Sequence, residues 1–123
     1  RAALLAGMPI TEWYPHSLRL LGYERDGWTA GYDASILQYG SNPDDWADFR
    51  FKNDTDGYML VQAWTDYPYA IVEIYGNDDG REVMVGDAQF DDPPGSPFFA
   101  WFTWRITYAD GRTAERTFES YYT

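Results

Sequence analysis

His16 is the only histidine in a chain of 123 residues that contains no cysteine. It is therefore the one side chain whose unperturbed pKa lets it take up and release a proton readily near neutral pH. It stands in Trp13-Tyr14-Pro15-His16-Ser17, where the proline biases Tyr14 toward an extended conformation. Two readings follow from the residue types. His16 is a proton carrier in a reaction, or its imidazole and the Ser17 hydroxyl satisfy backbone groups where one strand turns into the next.

Metal chemistry is less well supplied. Zinc normally takes several His, Cys or carboxylate ligands, and a single His does not meet that need. Oxygen donors for calcium are plentiful at Asn53, Asp54 and Asp56, at Asn77, Asp78 and Asp79, and at Asp87, Asp91 and Asp92. None of these groups completes an EF-hand loop with its distal Glu, and turn preference already accounts for Asp at such places. We assign no metal ligand and expect no cofactor. No pair of carboxylates stands out by spacing for glycoside hydrolysis.

The elements that must position His16 are mostly strands. Arg1 to Gly7 is the exception, because Ala2-Ala3-Leu4-Leu5-Ala6 are strong helix formers and Gly7 before Met8-Pro9 is a stop signal. A helix this short is below the roughly 12–15 residues at which an isolated helix becomes marginal, so the segment reads as the last two turns of a longer helix. Beyond Gly7, alternation of apolar and polar residues predicts strands near 9–14, 17–22, 47–54, 58–65, 69–76, 81–90, 98–109 and 112–122. Thr55-Asp56-Gly57, Asp78-Asp79-Gly80 and Asp110-Gly111 have the Asp-Gly chemistry of tight hairpin turns. The expected class is mainly β (α+β), a short N-terminal helix stub followed by an antiparallel β-rich domain with hairpins.

Length fits one domain. With 20 acidic against 9 basic residues the net charge is −11, which repels nucleic acid and anionic membrane surfaces. No apolar run approaches the ~20 residues of a membrane span. The lack of cysteine rules out disulfides and thiol nucleophiles within these residues and decides nothing about compartment. The 6 Trp, 11 Tyr and 7 Phe serve mainly as core and cross-strand pairs. An outward face drawn from Trp101, Trp104 and Trp64 is a candidate for binding sugar rings or a protein partner.

Five segments taken in order carry a family resemblance. Ala2-Ala3-Leu4-Leu5-Ala6-Gly7-Met8-Pro9-Ile10, Tyr14-Pro15-His16-Ser17, Gly31-Tyr32-Asp33-Ala34, Asp48-Phe49-Arg50-Phe51-Lys52-Asn53-Asp54-Thr55 and Val72-Glu73-Ile74-Tyr75-Gly76 resemble the C-terminal part of the VanW family of bacterial envelope proteins. The resemblance implies residues 1–90 as the C-terminal part of a VanW-like domain; composition marks 91–97 as a Pro/Gly loop, and 98–123 is expected as a β-hairpin extension packing on the same domain. It also implies an extracellular or cell-envelope setting. In that family the helix ending at Gly7 follows a glycine-rich segment with a Cys, which this chain lacks.

That departure shapes two functional expectations. The first is a non-catalytic β-rich module that binds its own upstream chain, another envelope protein or cell-wall glycan, through an exposed helix stub carrying Leu4 and Leu5 and through an aromatic strand face. The alternative is the C-terminal half of a peptidoglycan-directed hydrolase or transferase, in which His16 is the base for an upstream Cys and Asp33 orients His16. The alternative requires His16 and Asp33 to approach each other beside a cleft near Ala2.

Overall fold

The computed structural model describes residues 1–91 and 97–123. The expected class holds: one short helix precedes strands that pair antiparallel throughout. The predicted 91–97 loop has its interior, 92–96, outside the described residues.

Helix α1 (Ala2–Leu5) stops where the sequence says it should. Gly7 takes φ +67, its N–H reaches the Leu4 carbonyl at 3.1 Å, and the Met8 N–H reaches the Ala3 carbonyl at 3.0 Å. This is the paired Schellman arrangement that a left-handed glycine permits. A Cβ at Gly7 would also lie 2.6 Å from Val83. Met8 then turns back into the core, and β1 (Ile10–Glu12) pairs with β2 (Arg50–Phe51).

The framework is a sheet built on β7 (Phe98–Thr107). Strand β8 (Thr113–Tyr122) pairs with it along its whole length. The opposite edge of β7 takes β5 (Glu82–Val85) and then β6 (Gln89–Phe90). The predicted strand 81–90 thus breaks at Gly86–Ala88, although the Gly86 N–H still bonds the Thr103 carbonyl at 2.8 Å. A Cβ at Gly86 would approach that carbonyl to 3.0 Å, so glycine lets the two backbones close at the break.

Alternation along β7 sends Phe98, Ala100, Phe102, Trp104 and Ile106 inward. From β8, Phe118 and Tyr122 join them, as the two-residue period of a strand requires. Cross-strand partners stack: Phe102 on Phe118 at 5.0 Å and Phe98 on Tyr122 at 4.7 Å. Ala3, Leu4, Met8 and Ile10 pack on this face, so the N-terminal helix and the C-terminal hairpin share one core.

Three expectations need correction. No strand forms over 17–22; the segment is irregular and ends in a 3₁₀ turn at Leu21–Tyr23. Its apolar alternation found no partner strand, and its carbonyls are taken up singly, as where the Thr123 N–H bonds the Ser17 carbonyl at 2.9 Å. Thr55-Asp56-Gly57 and Asp78-Asp79-Gly80 are not hairpin turns, because the strands they join belong to different sheets. Asp110-Gly111 does close the β7–β8 hairpin, with Gly111 at φ +87. Lastly, the helix stub is only half exposed: Leu4 is buried in the core while Leu5 is open to solvent.

A second hairpin, β3 (Leu60–Asp66) with β4 (Tyr69–Tyr75), turns at Tyr67-Pro68. Among the described residues it pairs with no other strand, and all seven residues of β3 are exposed.

Candidate functional site

Between β1 and β2 the chain runs through residues 13–49 with isolated bridges and two 3₁₀ turns, Leu21–Tyr23 and Pro43–Asp45, and this long connection builds the site. Pro15 bridges Ala34, and the Ser35 N–H bonds the Tyr14 carbonyl at 2.9 Å. These contacts bring the Tyr14-Pro15-His16 stretch beside Asp33. His16 Nδ1 lies 3.5 Å from Asp33 Oδ2 and also within hydrogen-bond distance of the Leu18 carbonyl. Both neighbours are hydrogen-bond acceptors, so they favour a proton on Nδ1.

Asp33 is held from its other side as well. Its Oδ1 accepts a hydrogen bond from the Tyr122 hydroxyl, and that hydroxyl accepts the Gly31 N–H at 2.6 Å. Tyr122 is 1% exposed. Burial, and then the Asp33 carboxylate beside it, push the phenol well above its ordinary range, so it remains a proton donor at any physiological pH.

Asp33 lines a cleft of about 300 Å³ between α1 and the 13–36 segment. Leu4, Trp13, Trp28, Tyr32, Phe102 and Phe118 form much of its surface. The rings support one another: Trp13 meets Phe118 edge-on at 5.0 Å, and Tyr32 lies between Trp28 at 4.9 Å and Phe102 at 4.6 Å. Besides Asp33, the charged residues bordering the cleft are Arg1, which lies over the Trp28 ring at 5.0 Å, and the pair Arg19 and Glu24. The latter two are joined by a bidentate pair at 2.5 and 2.9 Å, and the Arg19 hydrogen bond holds the Glu24 carboxyl below its usual range. Arg19 and Glu24 therefore neutralise each other, while Asp33 is met by the Tyr122 hydroxyl and the His16 ring.

The structure thus brings together His16 and Asp33, with only Asp33 part of the cleft lining. It does not assemble the aromatic face of Trp101, Trp104 and Trp64. Trp101 and Trp104 are three apart on β7 and so point to opposite sides of the sheet. Trp104 is buried, its indole N–H donating to the Leu4 carbonyl at 2.9 Å. Trp101 is half-buried on the outer face, and Trp64 is exposed on the separate β3–β4 hairpin.

Sequence reasoning missed Trp13, Trp28 and Tyr32 as walls and Tyr122 as a partner of Asp33. The inward alternation of Phe118 and Tyr122 was a legible signal for burial, but nothing local linked position 122 to position 33.

Several of the oxygen donors in these turns have protein partners, and Asp92 lies outside the described residues. Asp54 and Asp79 both bind Arg81. Asn53 accepts from Thr55 N–H, and Asp78 from Gly80 N–H. Among the described residues no group of three or more His, Asp or Glu side chains is placed to hold a metal ion.

A protein family described as "VanW like protein" matches residues 1–75. The chain belongs to the VanW-like family. Comparison with curated proteins and with solved structures gives no match. The part matched to VanW contains α1, β1, β2, the β3–β4 hairpin and the connection bearing His16 and Asp33. The sheet of β5 to β8, which supplies Phe102, Phe118 and Tyr122, lies beyond it. Among the described residues no helix is long and apolar enough to cross a membrane.

Proposed function

We propose that this VanW-like chain is a non-catalytic binding module of the bacterial cell envelope whose cleft takes a sugar unit of cell-wall glycan. The observation that carries the reading is the pairing of aromatic walls at Trp13, Trp28 and Tyr32 with the Asp33 carboxylate, the one of the two lining carboxylates that is not paired to Arg19, in a cleft of about 300 Å³. Aromatic faces suit the apolar face of a sugar ring, and a carboxylate accepts hydroxyl protons from its edge. The volume lies at the small end of ligand cavities, in keeping with one or two rings rather than a long strand. The surface first expected to bind, Trp101 with Trp104 and Trp64, plays no part in this reading.

The test is retention on purified, insoluble peptidoglycan. Wild-type protein should co-sediment and be released by soluble glycan fragments, while Trp28→Ala and Asp33→Asn should remain in solution. Equal retention of all three proteins would end the proposal.

A second reading draws on the 3.5 Å approach of His16 and Asp33. In it the pair supports a nucleophile from outside these residues, with Nε2 of His16 as the proton acceptor. The position of His16 outside the cleft lining favours the binding reading. In the full-length protein, His16→Ala would abolish cell-wall turnover under the second reading and leave it intact under the first.

A further inference from the structure

The phenol of Tyr122 ends β8, far beyond the residues matched to the family, yet its hydroxyl reaches the wall of the cleft. A tyrosine hydroxyl has one proton to give. The Gly31 N–H at 2.6 Å occupies its acceptor side, and the proton is directed to Asp33 Oδ1. The ring cannot follow a moving carboxylate, because it is buried and stacked on Phe98 at 4.7 Å with an interplanar angle of 9°. Gly31 is fixed in turn: it has φ +98, and a Cβ there would lie 3.3 Å from the Ala100 side chain. One rigid strand end therefore holds both the backbone and the side chain of the Gly31–Asp33 turn.

An ionised carboxylate offers about four lone-pair directions. Tyr122 takes one at Oδ1, and His16 faces Oδ2. Asp33 is also one of the residues that line the cleft. We propose that Tyr122 is a positioning residue for the cleft: its hydroxyl fixes the Asp33 carboxylate so that one oxygen faces His16 and the remaining acceptor sites meet hydroxyl donors of a bound sugar. This rests on the reading of the cleft as a glycan site and deepens it. The C-terminal hairpin is then a working part of the VanW-like domain, since it supplies the contact that orients the acceptor.

His16 is the only histidine, so its ring nitrogens give unambiguous NMR signals that report the placement of Asp33. In ligand-free protein, Tyr122→Phe should move the Nδ1 and Nδ1–H signals of His16, and Asp33→Ala should move them too. Adding Tyr122→Phe to Asp33→Ala, which removes both acceptor oxygens, should give no further shift, because the hydroxyl acts through that carboxylate. Affinity for soluble glycan strands released from peptidoglycan should fall about three- to tenfold in Tyr122→Phe, as expected for one lost hydrogen bond. The double variant should bind no worse than Asp33→Ala alone.

If Tyr122→Phe does not fold, the wild-type protein supplies the measurement. A Tyr122 hydroxyl proton protected from exchange, with a cross-peak to the Gly31 amide, is expected, and it should be lost in Asp33→Ala. Unchanged His16 signals in a folded Tyr122→Phe protein, additive effects in the double variant, or a hydroxyl proton in fast exchange in the wild type would overturn the inference. Failure of the wild-type protein to bind glycan would instead remove the glycan reading while the His16 signals still reported on Tyr122, so the two failures are separable.

Discussion

The indole N–H of Trp104 donates to the Leu4 carbonyl 2.9 Å away, across 100 positions of sequence. Leu4 O also receives the Gly7 N–H that closes the helix, so the same carbonyl anchors the helix cap and joins α1 to the central strand. Trp104→Phe keeps an aromatic ring and removes the donor. It should lower unfolding free energy by about 1 kcal/mol, whereas Trp104→Ala should cost about 3–5 kcal/mol. Urea denaturation checks both; equal and negligible losses would mean that the bond contributes nothing.

Leu4 and Leu5 are adjacent and opposite in environment, one buried and the other mostly exposed. Leu4→Ala should cost about 2–4 kcal/mol through lost burial and the cavity left behind. Leu5→Ala should change stability by no more than about 0.5 kcal/mol. Similar losses at the two positions, read from denaturation midpoints, would contradict the packing of the helix on Phe102 and Trp104.

Arg81 joins the far side of the helix cap to two acidic turns. Its side chain donates to the Gly7 carbonyl at 2.7 Å, to Asp54 at 2.8 Å and to Asp79 at 2.5 Å, and lies over the Tyr108 ring at 5.1 Å. The Arg81 hydrogen bond brings the Asp79 carboxyl down from 3.8 to about 2. A depressed folded-state pKa contributes stability that is complete above the unfolded value and disappears as pH falls through the folded one. The wild-type protein should therefore lose stability between about pH 4 and pH 2, and Asp79→Asn should flatten that part of the profile. A profile unaffected by the substitution would show that Arg81 holds the turn without help from Asp79.

Tyr122 makes the opposite prediction at alkaline pH. Its folded-state pKa is raised by burial and by Asp33, so its contribution is complete below the ordinary tyrosine value of about 10 and is lost as pH rises toward the folded value. Tyr122→Phe should be less sensitive to alkali than the wild type above about pH 10. Thermal melts from pH 8 to 11 (roughly the range that spans ordinary tyrosine ionisation) measure this, and parallel profiles for the two proteins would contradict it.

What could be read in the sequence was what neighbours in the chain decide. Gly7 before Met8-Pro9 announced the Schellman stop because cap geometry is local. The inward and outward residues of β7 and β8 followed from a period of two, and Asp110-Gly111 from turn chemistry. Local pattern cannot report a strand's partner. Ser17 to Leu21 alternates well enough to suggest a strand and forms none, and Asp78-Asp79-Gly80 has hairpin chemistry but leads into another sheet. The site divides in the same way. His16 was legible by type and Asp33 only through the Gly31-Tyr32-Asp33-Ala34 segment of the family resemblance, while the aromatic walls and Tyr122 depended on pairings between distant segments. Trp104 was expected on an outward face because the run Phe98-Phe99-Ala100-Trp101-Phe102-Thr103-Trp104 offers aromatics to both sides, and only the register with β8 settles which side is buried.

The central claim is that the cleft beside α1 is where a ligand binds, and indole N–H signals in an NMR titration with soluble glycan strands test it most directly. Trp13 and Trp28 line the cleft, while Trp64 and Trp101 lie elsewhere. The account predicts saturable shifts at Trp13 and Trp28 with Trp64 and Trp101 unmoved. Shifts confined to Trp64 and Trp101, or no shift at any indole, would contradict it.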